Sequence, residues 1–154
     1  ESRGLGDVYK RQPHKINALG IKVEVTKSSS VIDYNELIEI KTVASDGNER
    51  SVKGTLLGKA NDPRIVEVDE QAIEVRPVDL LLVVRNVDKP GIVGKLGTIL
   101  GDHRVNIANM SLSRADCGEL ALTICELDQE PANEVLRLLD ADSDIREARI
   151  SRQG

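Results

Sequence analysis

The sequence predicts an α+β protein, with a partial mixed or antiparallel β domain followed by a ferredoxin-like βαββαβ domain. Three observations lead there. Residues 34–76 alternate with period two between turn signals. Residues 79–150 run strand, helix, strand, strand, helix, strand. Between the two patterns stands Arg76-Pro77, and a proline without an N–H suits a linker or a strand edge.

The elements follow in order. In "NELIEIKTVA", Ile38, Ile40 and Thr42 share one face and Glu39 and Lys41 the other, as in a half-buried strand. "SDGNE" is an Asp-Gly turn, and "RSVKGTLLG" returns as the second strand of a hairpin. "RIVEV" and "AIEVRP" are two more short strands joined by the acidic turn "DEQ". Upstream, "GIKVEVTKSSS" alternates at Ile21, Val23 and Val25, but the serine run leaves it ambiguous. "VDLLLVVRN" is nearly all apolar, which implies burial on both faces or a place at the sheet centre. In "GIVGKLGTILGDH", Ile92, Val93, Leu96, Ile99 and Leu100 form a helical stripe. "VNIANMSLSRA" alternates again, "ADCGE" is a turn and "LALTICELD" a strand. "EPANEVLRLLDAD" predicts a helix with Pro131 in its first turn, and "IREARI" a closing strand.

Composition narrows the function. The chain has 154 residues and a net charge of −5, with 40% hydrophobic and 31% charged residues, as in a soluble globular protein. Its only aromatics are two tyrosines, so base stacking is not on offer. No basic stripe points to nucleic acid, and no apolar run reaches the roughly 20 residues that span a bilayer. Cys117 and Cys125 lack metal-ligand spacing, and His14 and His103 stand apart. No metal site and no catalytic residue is expected. A reduced, cytoplasmic setting is the simplest reading. The glycines between 91 and 101 lie inside a helical stripe and do not open a dinucleotide-binding turn.

The stretch "NVDKPGIVGKLGTILG" carries the main candidate site. Pro90 suits a first helical turn, Asp88 stands where an N-cap would be, and Gly91 lets the backbone be approached closely. Gly94, Gly97 and Gly101 fall roughly on one side of the helix, which suits close packing or close approach there. A helix start offers N–H groups to a carboxylate, aspartate can hold an ammonium, and Asn86 can both donate and accept. The turn thus has a partner for each half of a free amino acid. Read without a ligand, it is a capping turn, and Asn106 is a turn amide.

Residues 79–150 closely resemble an ACT domain, a regulatory amino-acid-binding module, through "NVDKPGIVGKLGTILG", "VNIANMSLSR", "GELALTICELD" and "IREARI". Upstream, "GTLLG", "RIVEVD" and "IEVRP" resemble the allosteric substrate-binding domain that precedes ACT in long-form D-3-phosphoglycerate dehydrogenases. The resemblance implies a C-terminal fragment with residues 13–77 as part of that intervening domain and 78–154 as the ACT domain. It implies a homo-oligomer formed by ACT pairing. L-serine would bind between two ACT domains, on Asn86 and Asp88 of one chain and Asn106 of its partner, with Pro90 and Gly91 shaping the turn. It implies NAD as cofactor of the parent enzyme, none in this fragment, and offers Lys59, Arg64 and Arg76 as anion-binding candidates. The β-subunit of an iron–sulfur L-serine dehydratase is a rival resemblance, and an ACT dimerisation module without effector is another. Residues 1–12 fit neither pattern: "DVYKRQ" resembles a translated sequencing adaptor, so the segment is expected to be non-native or disordered.

Overall fold

The computed structural model describes residue 34 and residues 36–115 and 118–152. The expectations for residues 1–12 and for "GIKVEVTKSSS" lie outside them. Two four-stranded sheets form from eight strands, and both are antiparallel. The first contains β1 (Ile38–Val43), β2 (Glu49–Leu57), β3 (Asp62–Val68) and β4 (Gln71–Val75) in chain order. The second contains β5 (Leu80–Val87), β6 (Ile107–Arg114), β7 (Leu120–Leu127) and β8 (Ile145–Arg152), in the order β6-β7-β5-β8. Helices α1 (Ile92–Asp102) and α2 (Asn133–Ala141) form the crossovers of this sheet, which gives the ferredoxin-like βαββαβ order.

The apolar run of β5 becomes the sheet centre, between β7 and β8. Leu82 and Val84 pack with Leu96 and Leu100 of α1 and with Val135 and Leu139 of α2. Leu81 and Val83 point the other way, with Leu122 and Ile124 of β7. There they meet Ile65 and Val68 of β3 and Ile73 and Val75 of β4. One strand thus serves two cores, which is why it cannot alternate with polar residues.

Local departures from the predicted pattern have identifiable causes. Along β6, Ile107 and Met110 both pack on the helix-side core, although strict alternation puts them on opposite faces. The register against β7 slips between Ile107 and Asn109, a β-bulge that resets the alternation. The half-burial expected of β1 is absent: Ile38 and Ile40 are exposed, because β1 is the outer strand, two strands away from the shared core. Both helices start later than their prolines suggest. Gly91 is the N-cap of α1, at φ +95°, a left-handed backbone that excludes it from the helix and leaves Pro90 outside. Pro131 precedes the N-cap Ala132 of α2.

A group of four charges joins the sheets. Asp69, in the β3–β4 turn, accepts hydrogen bonds from the Ser51 N–H at 2.6 Å, from Arg50 at 2.9 Å and from Arg85 of β5. Arg50 also reaches Glu147 of β8 at 2.7 Å. Burial alone would raise the Asp69 carboxyl, but the Ser51 N–H, Arg50 and Arg85 together hold it below its ordinary value. A depressed carboxylate contributes stability above its unfolded pKa and loses it as pH falls through the folded value. The denaturation midpoint is therefore expected to fall below about pH 4. Asp69→Asn should be less stable than the native chain at pH 7 and should lose part of that acid slope, as urea melts between pH 7 and 3 would show.

Candidate functional site

The site builds outward from the end of β5. Asn86 has the parity of Leu82 and Val84, so it faces the helices and is buried. Its Oδ1 accepts from Thr123 Oγ1 at 3.0 Å, and its Nδ2 donates to the Val87 carbonyl at 2.9 Å. Both ends of the amide are thus engaged within the sheet rather than projecting from the turn. This amide is a satisfied buried polar group, the usual condition for one at such a depth.

The next residues form the strand-to-helix turn. The Val87 N–H donates to the Asp144 carbonyl and the Asp88 N–H to that of Glu119. These two bonds fix the backbone between the α2–β8 loop and the start of β7. Asp88 does not cap α1, whose first turn has neither a side-chain cap nor an acidic residue. Its carboxylate pairs instead with the Arg114 Nε, 3.2 Å away at the end of β6. Sequence reading passed over Arg114. The available signal was its place at the far end of the alternating run that starts at Asn106.

Ion pairs brace the turn from behind. Lys89 meets Asp144 at 2.6 Å, and Lys95 of α1 meets Asp144 at 2.6 Å and Asp142 at 2.8 Å. Lys95 and the Asp144 N–H hold the Asp142 carboxyl below its ordinary range, and Lys89 and Lys95 do the same for Asp144. Among the described residues, Gly94, Gly97 and Gly101 have no neighbour within 4 Å of an added Cβ, so packing there does not account for them.

Asn106 lies at the opposite end of the sheet. It precedes Ile107, which pairs with Leu127, whereas Arg114 pairs with Ala121 and Val87 with Leu120. Seven residue steps of β6 separate Ile107 from Arg114, about 23 Å at the usual strand rise. Asn106 donates to Asp128 at 2.5 Å and is exposed. Within one chain, Asn106 and Asp88 do not converge.

The anion candidates divide. Arg64 and Arg76 line a shallow pocket of about 290 Å³ with Glu74, Val75, Asn109 and Glu126. Both already meet carboxylates: Arg64 contacts Asp62 at 2.6 Å and Glu74 at 3.3 Å, and Arg76 contacts Asp62 at 3.3 Å. Lys59 sits in the turn after β2 and does not line the pocket.

The order of elements, the ferredoxin-like sheet and the turn at its first helix have a counterpart among known families. The ACT-domain family matches residues 80–144. Residues 80–144 are an ACT domain. The wider chain is similar to D-3-phosphoglycerate dehydrogenases from several lineages. It is 35% identical to that of Mycobacterium leprae over 116 residues, 75% of this chain and 22% of the relative. It is 36% identical to the Synechocystis enzyme over 129 residues, 84% of this chain and 23% of the relative. It is 34% identical to the Archaeoglobus fulgidus enzyme over 119 residues, 76% of this chain and 22% of the relative. The chain therefore spans less than a quarter of the length of these relatives, and the match extends beyond the ACT domain into the first sheet. Both described sheets are antiparallel, so the described residues do not form the parallel crossover at which a dinucleotide binds. No described helix is long and apolar enough to cross a membrane.

Proposed function

We propose that this chain is the C-terminal regulatory portion of a D-3-phosphoglycerate dehydrogenase that binds L-serine as a feedback effector between paired ACT domains. The intact enzyme would pass a hydride from 3-phosphoglycerate to NAD in the part that this chain does not span. Serine would act by linkage, binding the inhibited arrangement of subunits more tightly than the active one.

The observation that supports the reading is the placement of Asn106 and Arg114 at opposite ends of one sheet edge, with Asp88 paired to Arg114. Among the described residues β6 is an outer strand of the ACT sheet, so one side of its backbone faces away from β7. Two such edges meeting antiparallel about a two-fold axis would bring the Asn106 end of one against the Arg114 and Asp88 end of the other. Asp88 would then hold the ligand ammonium, and Asn106 of the partner subunit would supply a donor and an acceptor. Gly91 shapes the turn, and Pro90 stiffens its approach. The glycines of α1 suit a second helix laid close alongside, a role that packing among the described residues leaves open.

Calorimetric titration of L-serine into the chain, with sedimentation on the same sample, tests this. Saturable binding at one or two sites per dimer, weaker for glycine and D-serine, is the expected result. A folded dimer that binds no serine at two temperatures would reduce the domain to an assembly module.

A further inference from the structure

The Asp88–Arg114 pair is unequal. The Asp88 side chain is 19% exposed and stands on a backbone fixed at Val87 and Asp88, whereas the Arg114 side chain is 73% exposed. An ion pair with one partner so open to water contributes little to stability, because solvent screens it and ordering a long side chain costs entropy. The enclosed carboxylate is thus balanced by a cation that is free to take another partner.

The cross-strand register places that cation in the same row as the buried amide. Arg114 pairs with Ala121, and Ala121 pairs with Asn86, so the three side chains share the helix-side face. Only a methyl group separates the positions of Arg114 and Asn86 across the row. Asn86 is already committed to Thr123 and to its own strand. Among the side chains of this row, the one left with the freedom to meet a ligand carboxylate is Arg114.

We propose that Arg114 is the carboxylate receptor of the amino-acid site and exchanges Asp88 for the ligand. This rests on the reading of the turn as an effector site. A zwitterionic α-amino acid places its ammonium on Asp88, and Arg114 turns its planar guanidinium onto the carboxylate released to it. The charge count is conserved: one ion pair becomes two, with the ligand between them. The ligand class is then set by both ends, so an amine without a carboxylate, or an acid without an ammonium, forfeits one pair.

Titration of the native chain, Arg114→Gln and Arg114→Lys with L-serine and with L-serinamide, which lacks the carboxylate, tests the assignment. The native chain should prefer serine to serinamide. Arg114→Gln should bind serine about 10- to 100-fold more weakly and lose that preference. Arg114→Lys should keep part of it, since its ammonium supplies the charge without the fork. Arg114→Gln binding serine as tightly as the native chain, or more tightly, would overturn the role of Arg114 while leaving the effector site intact. A native chain that binds no serine would overturn both. The exposure of Arg114 makes a folding defect an unsuitable explanation, and an unchanged thermal midpoint would confirm this.

Discussion

Leu96→Ala is expected to lower stability by about 2–5 kcal/mol, read as a drop in the urea midpoint at unchanged slope. Leu96 has no exposed surface and lies on α1 among Leu82, Val84, Leu100, Val135 and Leu139. Its loss opens a cavity where strand and both helices meet, and the surrounding leucines cannot collapse into it without moving an element. That is a large part of the 5–15 kcal/mol that holds a domain of ordinary size. Leu138→Ala, on the exposed side of α2, is the matched control and should cost well under half as much. Equal costs would mean that α1 is not seated on β5 as described. Since α1 begins directly after Gly91, the core that anchors Leu96 also holds the candidate binding turn.

The second large effect belongs to the turn itself. Asp88→Asn keeps the shape of the side chain and removes its charge. If Asp88 holds the ammonium of an amino acid, serine affinity should fall about 10- to 100-fold. The thermal midpoint should move little, because the lost partner, Arg114, is mostly in water. A turn that serves only to enter the helix predicts the reverse, with unchanged binding and a lower midpoint. Asp88 makes no capping bond to α1, which already separates the two cases in part.

Much of this architecture was legible because the helices and strands of the ACT domain repeat their apolar residues with clear periods. β5 announced its central place by lacking alternation, and α1 by the spacing of Ile92, Leu96 and Leu100. Other features depended on facts no local pattern contains. The bulge at Ala108 shifted which β6 residues face the helices, and a single strand read in isolation does not reveal an extra residue against its partner. Pro90 suggested a helix start one or two residues early, since proline suits both N1 and the turn before it, and the left-handed backbone at Gly91 decided between them. The parity of Asn86 with Leu82 and Val84 was in the sequence, but its burial came from what covers the sheet. Its neighbour Thr123 lies 37 positions away, and Asp88 likewise meets Arg114 only where the ends of β5 and β6 come together. Such tertiary pairings carry no local signal. The covering of the opposite face by β3 and β4 was likewise invisible until the two sheets met.

Binding of an amino acid across two chains is tested most directly by mixing two inactive variants. Asp88→Ala and Asn106→Ala, each alone, should bind no L-serine with native affinity, because every site in either homodimer lacks one contact. Mixed, unfolded together and refolded, they form heterodimers in which one site has lost both residues and the other has kept both. Native-affinity binding should return at one site per heterodimer, in proportion to the heterodimer fraction. A mixture as inactive as its components, with heterodimers present by native mass spectrometry, would contradict it and place any serine site within a single chain.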